Sequence, residues 1–193
     1  MRRAFGSALL AAGLMLAPAL AVAQHQMGAM PAHEFGADLT LYYGNYSLNG
    51  TSQSHFVIGT PVDLRLGFVS SKTLVIEPRL ALSYDSKGLL TGFSNHVLML
   101  SPDLNFLFNV GSGDYRHGMY LTAGAGMDLL DIGGSPGTSI SRFSINGGIG
   151  TRSPYESGAI RLEAFVKYVT KNTSKNYPGE LQIGGRAGLS LWH

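Results

Sequence analysis

Ser94 and His96 are the side chains in this sequence whose types and spacing come nearest to a catalytic pair. They stand two positions apart, so in an extended strand they lie on one face and can form a hydroxyl–imidazole pair. Nucleophilic catalysis also needs a group that orients the base, and no orienting acid is evident beside them. We interpret the pair as a polar cluster at a strand end and predict that the protein is not an enzyme. The alternative is a hydrolase that uses these two residues.

A second group of candidate ligands lies near the start of the chain. Imidazole and thioether groups suit copper, and both occur at His25, Met27, Met30 and His33. A nine-residue tail offers no preorganised geometry, however, and histidine and methionine are ordinary in linkers. The sequence has no cysteine, which excludes thiolate metal sites and disulfides. We therefore predict no metal and no other cofactor.

The third group consists of charged residues that share one face of an alternating pattern. Six are acidic and six are basic, and five of the basic residues are arginines. A narrow polar interior needs such a balanced set, because guanidinium forms bidentate pairs with carboxylates and tolerates partial desolvation. We predict that these side chains form a lumen charge network and satisfy one another. They are Asp38, Asp63, Arg65, Glu77, Arg79, Asp103, Asp128, Arg142, Arg161, Glu163, Lys167 and Arg186.

The elements that position these charges are strands. From Phe35 to Trp192 the sequence forms about eight segments in which polar and apolar residues alternate, as successive side chains of a strand point to opposite faces. Prolines weaken three of the segments locally, because proline cannot donate to a ladder. We predict an all-β, eight-stranded, antiparallel up-and-down transmembrane β-barrel with a polar, salt-bridged lumen. Loops are expected at Leu48–Ser54, Asp85–Gly92, Asp131–Thr138 and Lys171–Gly179, and the prolines are Pro61, Pro78 and Pro102.

The start of the chain resembles an export signal. Residues 1–23 combine Arg2 and Arg3, an apolar run and an Ala-Val-Ala ending, which predicts a cleaved signal peptide. Residues 24–34 are expected to be a flexible tail, and residues 35–193 the barrel. Removing the signal leaves as many basic as acidic residues, so the charge gives no reason to expect a nucleic acid partner.

Alternation alone leaves open which face of the barrel is inside. A soluble carrier of an apolar ligand would bury the apolar face, whereas a membrane barrel turns that face to lipid. The distribution of cations favours the membrane barrel, because the polar face carries arginines while the loops carry mostly lysines. An eight-stranded lumen filled by such side chains is not an open pore. The cations assigned to loops and turns are Lys72, Lys87, Lys171, Lys175, Arg116 and Arg152.

Outward aromatic residues are expected at the two membrane interfaces, where barrels of this kind carry girdles. One predicted girdle consists of Tyr43, Phe56, Tyr84, Phe93 and Tyr168, and the other of Phe35, Phe68 and Phe108.

The segments at 120–126 (Tyr-Leu-Thr-Ala-Gly-Ala-Gly) and 188–192 (Gly-Leu-Ser-Leu-Trp), with the export signal, resemble the small eight-stranded outer-membrane β-barrel proteins such as OmpX and the OmpA transmembrane domain. The resemblance implies an outer-membrane location, contact with lipid and lipopolysaccharide, and recognition of the last strand by the barrel-assembly machinery. It departs at the end, where His193 follows Trp192. Ser94 and His96 also loosely resemble the pair of outer-membrane lipid A deacylases, in reversed order. We expect a monomer with a structural or cell-surface role through its loops.

Overall fold

Alternating side chains organise the molecule into eight antiparallel strands that close into one barrel. The computed structural model describes residues 33–48, 51–85, 97–110, 116–133 and 138–193. Within these ranges, no helix is long and apolar enough to cross a membrane. The strands are β1 (His33–Leu48), β2 (Thr51–Val69), β3 (Leu74–Asp85), β4 (Val97–Val110), β5 (Gly118–Ile132), β6 (Thr138–Tyr155), β7 (Gly158–Val169) and β8 (Glu180–Trp192).

Each strand pairs with its neighbour in the sequence, and β8 pairs with β1 to close the barrel. This up-and-down order confirms the predicted fold class. Even the 12-residue strand β7 is about 40 Å long at roughly 3.3 Å per residue. Tilted by about 45°, it rises about 28 Å, close to the ~30 Å thickness of a bilayer's hydrocarbon core.

The apolar face of the barrel points outward. In β7, Leu162 is 53% exposed while its neighbours Arg161 and Glu163 are 2% and 5% exposed. The same pattern holds on every strand, and large exposed apolar side chains encircle the wall. A soluble carrier would require the opposite arrangement, so that alternative is wrong. The apolar belt and the buried charges are those of a membrane barrel.

The two ends of the barrel differ, and we call them the terminal end and the loop end. At the terminal end, His33 and His193 exchange backbone hydrogen bonds of 3.0 and 2.9 Å. At the loop end, the outward face of β1 changes from Leu41 and Tyr43 to polar residues. There, the Asn45 amide donates to the hydroxyls of Ser52 and Ser54 on β2. The β1–β2 hairpin therefore continues beyond the apolar belt.

Predicted girdle residues that the structure describes lie on the outward side. Tyr43, Phe56, Tyr84 and Tyr168 lie towards the loop end, and Phe68 and Phe108 towards the terminal end, all of them exposed. Phe35 is outward and half-buried, and Phe93 lies outside the described residues.

Three predicted boundaries differ from the structure. The predicted loop Asp131–Thr138 overlaps the end of β5 at Ile132 and the start of β6 at Thr138. Strand β1 begins at His33, two residues before the expected start of the barrel, so Glu34 is a barrel residue. The predicted loop Leu48–Ser54 is wrong, because β1 ends at Leu48 and β2 begins at Thr51. The polar residues after position 50 continue the strand by bonding to β1. The two residues between the strands are Asn-Gly, a dipeptide typical of two-residue hairpins, and this signal was overlooked.

Strand β2 carries a bulge at mid-height. The register shifts between Leu39 and Leu41 of β1, and Gly59 has a φ of 73°. Pro61 lies in the same bulge, where the missing N–H costs no ladder bond. The β2–β3 ladder begins next to it, at Val62 opposite Leu82.

Candidate functional site

The interior of the barrel is the most unusual feature of the described residues, because it is built from charges. All twelve residues of the predicted lumen network are buried. Glu34, Arg152 and Glu180 are buried with them and were missed. Glu34 had been assigned to the tail and Arg152 to a turn. The alternation of buried and exposed residues along β1, β6 and β8 places all three on the polar face, so extending the pattern would have found them.

Arg65 organises the interior near the terminal end. Its Nη1 lies 2.8 Å from Oε1 of Glu34, and its Nε lies 2.8 Å from Oδ2 of Asp38. Its Nη2 donates to the hydroxyl of Ser190 at 2.9 Å. The Ser190 hydroxyl in turn donates to Glu34 at 2.5 Å. One guanidinium therefore joins β1, β2 and β8 where the barrel closes.

Two ion pairs cross the lumen between β3 and β7. Arg79 forms a bidentate pair with Glu163, with N–O distances of 3.1 and 2.9 Å. Arg161 donates to Glu77 at 2.6 Å. Arg79 also contacts Glu77 at 2.6 Å, which links the two pairs. Because β3 and β7 face each other across an eight-stranded barrel, these bonds bridge the interior.

Tyr120 lies between two arginines below these bridges. The guanidinium carbons of Arg152 and Arg161 are 4.7 and 4.9 Å from its ring centroid. Its hydroxyl accepts from Arg161 at 3.1 Å and donates to Glu163 at 3.2 Å. The ring packs with Val75 and Leu107 in an apolar cluster that fills the terminal end.

A further chain of pairs continues towards the loop end. Lys167 donates to Asp128 at 2.8 Å and to Asp103 at 3.4 Å. Asp128 also accepts from Arg142, whose Nη2 is 3.8 Å from Glu180. On the facing wall, the carboxylate of Glu180 is 3.2 Å from Nε2 of His55. Elsewhere, Arg186 joins Asp63 at 2.8 Å and Glu163 at 2.7 Å.

The register places like charges directly opposite each other on neighbouring strands, which destabilises a sheet unless each charge has another partner. Each of these residues has an opposite charge within 4 Å. The pairs of like charges are Asp38 with Asp63, Arg65 with Arg79, and Arg152 with Arg161. Each of these charges therefore takes a partner other than the residue directly opposite it, and several of these partners lie on non-neighbouring strands, as in Arg161–Glu77 and Arg152–Glu34.

The loop between β7 and β8 covers the loop end. Asn172 and Tyr177 exchange backbone hydrogen bonds of 2.9 Å, and the Asn172 side chain donates to the Ser141 carbonyl at 2.8 Å. The ring of Tyr177 lies 4.9 Å from the guanidinium carbon of Arg142. Burial raises the pKa of the Tyr177 phenol. The loop is therefore anchored to β6 and to the interior network.

A groove with polar lining residues lies on the outer side of this loop. It runs between the tip of β1 and the loop, and the strands meet there at Tyr46 opposite Glu180. Its lining includes Asn45, Ser47, Lys171 and Asn172. This is a surface where amides, hydroxyls, one cation and the largely buried carboxylate of Glu180 converge beyond the apolar belt.

Of the other candidate residues of the sequence, the structure describes only His33. Ser94, His96, His25, Met27 and Met30 lie outside the described residues. His33 begins β1, where its ring meets Phe68 edge-on at 5.5 Å. Among the residues that the structure describes, no group of three or more His, Cys, Asp or Glu could hold a metal ion.

Comparison with solved structures identifies the fold. The crystal structure of Ail, the attachment invasion locus protein of Yersinia pestis, matches with a TM-score of 0.51 and 13% identity, over 84% of this chain and 100% of Ail. That of Neisserial surface protein A matches with a TM-score of 0.53 and 12% identity, over 84% of this chain and 97% of the other. The chain has the fold of the eight-stranded outer-membrane β-barrels. This confirms the resemblance noted from its strand sequences, and the fold implies an outer-membrane location.

No family model matches this outer-membrane barrel, and no curated protein matches it in sequence. At sequence identities of 13% and 12%, the similarity to these two proteins shows a shared fold and nothing more. The role of the barrel must therefore be argued from its own residues.

Proposed function

We propose that this chain is a non-enzymatic outer-membrane barrel whose role is structural or lies in contacts at the cell surface. The observation that carries the proposal is the bridged interior, in which Arg79–Glu163 and Arg161–Glu77 join opposite walls. Such a lumen offers no path for solute unless several buried pairs break together. The surfaces available for function are then the wall and the loop end.

We infer that lipopolysaccharide is the partner of the loop end. The polar groove beside the β7–β8 loop lies just beyond the apolar belt, where headgroups meet the wall of a barrel. Its lining of Asn45, Ser47, Asn172 and Lys171 suits sugar hydroxyls and phosphate, since amides and hydroxyls bond to sugars and ammonium pairs with phosphate. Lys175 is exposed on the same loop. In this arrangement the loop end faces the outside of the cell and the two termini face the periplasm.

The test compares two lysine variants. Lys171 and Lys175 are replaced together by alanine, and Lys72 in the turn at the terminal end is replaced as the matched control. Folded and unfolded forms are separated on a denaturing gel after heating in lipopolysaccharide-containing or phosphatidylcholine vesicles. We expect lipopolysaccharide to raise the unfolding temperature of the wild type and Lys72→Ala more than that of the double variant. Equal increases in all three proteins would contradict the assignment.

A closed lumen has its own test. In planar bilayers, the wild type should give no stepwise conductance of porin size, since the interior pairs stay formed. Stable open channels would refute the closed barrel and leave the lysine experiment unaffected.

The hydrolase alternative is tested separately, in a host strain that expresses the chain. Lipid A mass spectra should be the same with the wild type and with Ser94→Ala. A lipid A species that disappears in the variant would replace this proposal with an enzymatic one.

Export and assembly belong to the same proposal. A cleaved signal at residues 1–23 would direct the chain to the periplasm. The barrel-assembly machinery would then recognise β8, and the assembled protein would be a monomer. Trp192 is half-buried on the inward side, opposite Glu34. The assembly signal would therefore rest on outward residues of β8 such as Leu189 and Ile183.

A further inference from the structure

A cavity lies inside the loop end, beneath the β7–β8 loop. One wall is apolar and consists of Val97 and Met99 from β4 with Leu130 from β5. The facing strands β1, β2 and β8 supply a polar wall that includes His55 and Glu180. Much of the lumen is lined by ion pairs. This cavity differs, because one of its sides is apolar and the other is polar.

Arg142 reaches into this cavity from β6. The residue is 4% exposed. Its Nη1 donates to the Pro178 carbonyl at 3.1 Å, and its Nη2 donates to Asp128 at 3.4 Å. Within the described part of the chain, its Nε has no hydrogen-bond partner, and neither has Nδ1 of His55. A buried N–H without an acceptor is unfavourable, so the site favours an oxygen acceptor.

We propose that the cavity binds a small organic monocarboxylate. The carboxylate accepts from Nε of Arg142, and the short apolar body packs against Val97, Met99 and Leu130. A carboxylate suits guanidinium better than a neutral acceptor does, because the hydrogen bond is charge-assisted. The neighbouring carboxylate of Glu180 is directed at His55, 3.2 Å away, and is 3.8 Å from Nη2 of Arg142. This site is independent of the proposed contact with lipopolysaccharide, which lies on the outer side of the loop.

The methionines allow a test with internal controls. The full chain is labelled with ¹³C at its methionine methyl groups, refolded in nanodiscs and titrated with hexanoate. Met99 lines the cavity, whereas Met119 and Met127 are 52% and 45% exposed on the outer wall. We expect the Met99 signal to shift and saturate while the Met119 and Met127 signals stay in place. Hexylammonium should leave the Met99 signal unchanged. A parallel, unsaturable shift of all three signals would show partition into lipid only and would overturn the proposal.

Three variants separate the parts of the site. Arg142→Gln should weaken hexanoate binding at least tenfold, with the heat-shifted gel band showing that the barrel is folded. Because Arg142 also contacts Asp128, Leu130→Phe provides a second variant that fills the cavity without removing a charge. It should abolish binding, while Leu129→Phe, one residue away and outward, should not change it. Binding that survives Leu130→Phe, or equal affinity for hexanol and hexanoate, would refute the assignment.

Discussion

Replacing Glu163 with glutamine tests whether the cross-lumen pairs stabilise the barrel. The carboxylate accepts from Arg79 at 3.1 and 2.9 Å and from Arg186 at 2.7 Å, and it also accepts from Tyr120 at 3.2 Å. Glutamine has nearly the same shape, so the change removes charge and leaves little empty space. Arg79 keeps Glu77, and Arg186 keeps Asp63. The two guanidiniums are therefore underpaired but not isolated.

The expected loss of unfolding free energy follows from this geometry. Removing one partner of a buried ion pair costs about 3–5 kcal/mol when the remaining charge has no other partner. Because each arginine here retains one carboxylate, we expect the lower end, about 3 kcal/mol. Glu156→Gln in the exposed turn between β6 and β7 is the matched control. It should cost less than about 0.5 kcal/mol, as surface substitutions usually do.

The assay is reversible urea unfolding in lipid vesicles, followed by the fluorescence of Trp192, the single tryptophan of the chain. Midpoint and slope are obtained for the wild type, Glu163→Gln and Glu156→Gln. If Glu163→Gln and Glu156→Gln have the same unfolding free energy, the interior pairs do not stabilise the fold and the reasoning fails. A double replacement of Glu163 and Arg79 should cost less than the sum of the two single changes, because the two residues interact.

Three further outcomes are expected. Gly36→Ala places a methyl group against the Arg65 guanidinium and should lower the urea midpoint of unfolding. Gly147→Ala, where the added methyl group meets only ordinary contacts, should leave the midpoint unchanged. Equal midpoints for the two variants would contradict the close contact between Gly36 and Arg65. Tyr120→Phe removes a hydroxyl that accepts from Arg161 and donates to Glu163, and should cost about 1–3 kcal/mol by the same unfolding assay. Leu162→Arg puts a charge on the lipid-facing wall, and a cost of about 2–4 kcal/mol is expected near mid-membrane. The same variant would hardly change the free energy of unfolding if that face were exposed to water.

Much of the fold follows from local pattern. Alternation depends only on neighbouring residues, so the eight strands and the inward side of the twelve predicted lumen charges could be predicted directly. The prediction is wrong where it makes a strand too short. Glu34 and Arg152 lie on the polar face of β1 and β6, but the prediction begins β1 one residue after Glu34 and ends β6 before Arg152, at places where polar residues are also typical of loops.

The partners inside the lumen could not be predicted. Arg79 and Glu163 are 84 residues apart, and their meeting depends on the register of every ladder between β3 and β7. A shift by one residue in any ladder would move one of them to the lipid side. The bulge in β2 has the same consequence, since it inserts residues opposite Thr40 without a distinctive sequence beyond a glycine and a proline. The cavity at the loop end likewise depends on how the β7–β8 loop folds back.

The bonds between β3 and β7 also constrain the order in which the molecule is made. A growing sheet that holds β1 to β4 already carries Arg65, Glu77 and Arg79, but the partners of Arg79 and Glu77 on β7 arrive last. Until β8 meets β1, Arg79 and Glu77 lack these β7 partners and face water on the open side of the sheet. The step that joins the first and last strands must therefore expel water and form the cross-lumen pairs together. We therefore expect barrel closure and formation of the cross-lumen pairs to be coupled in one cooperative step.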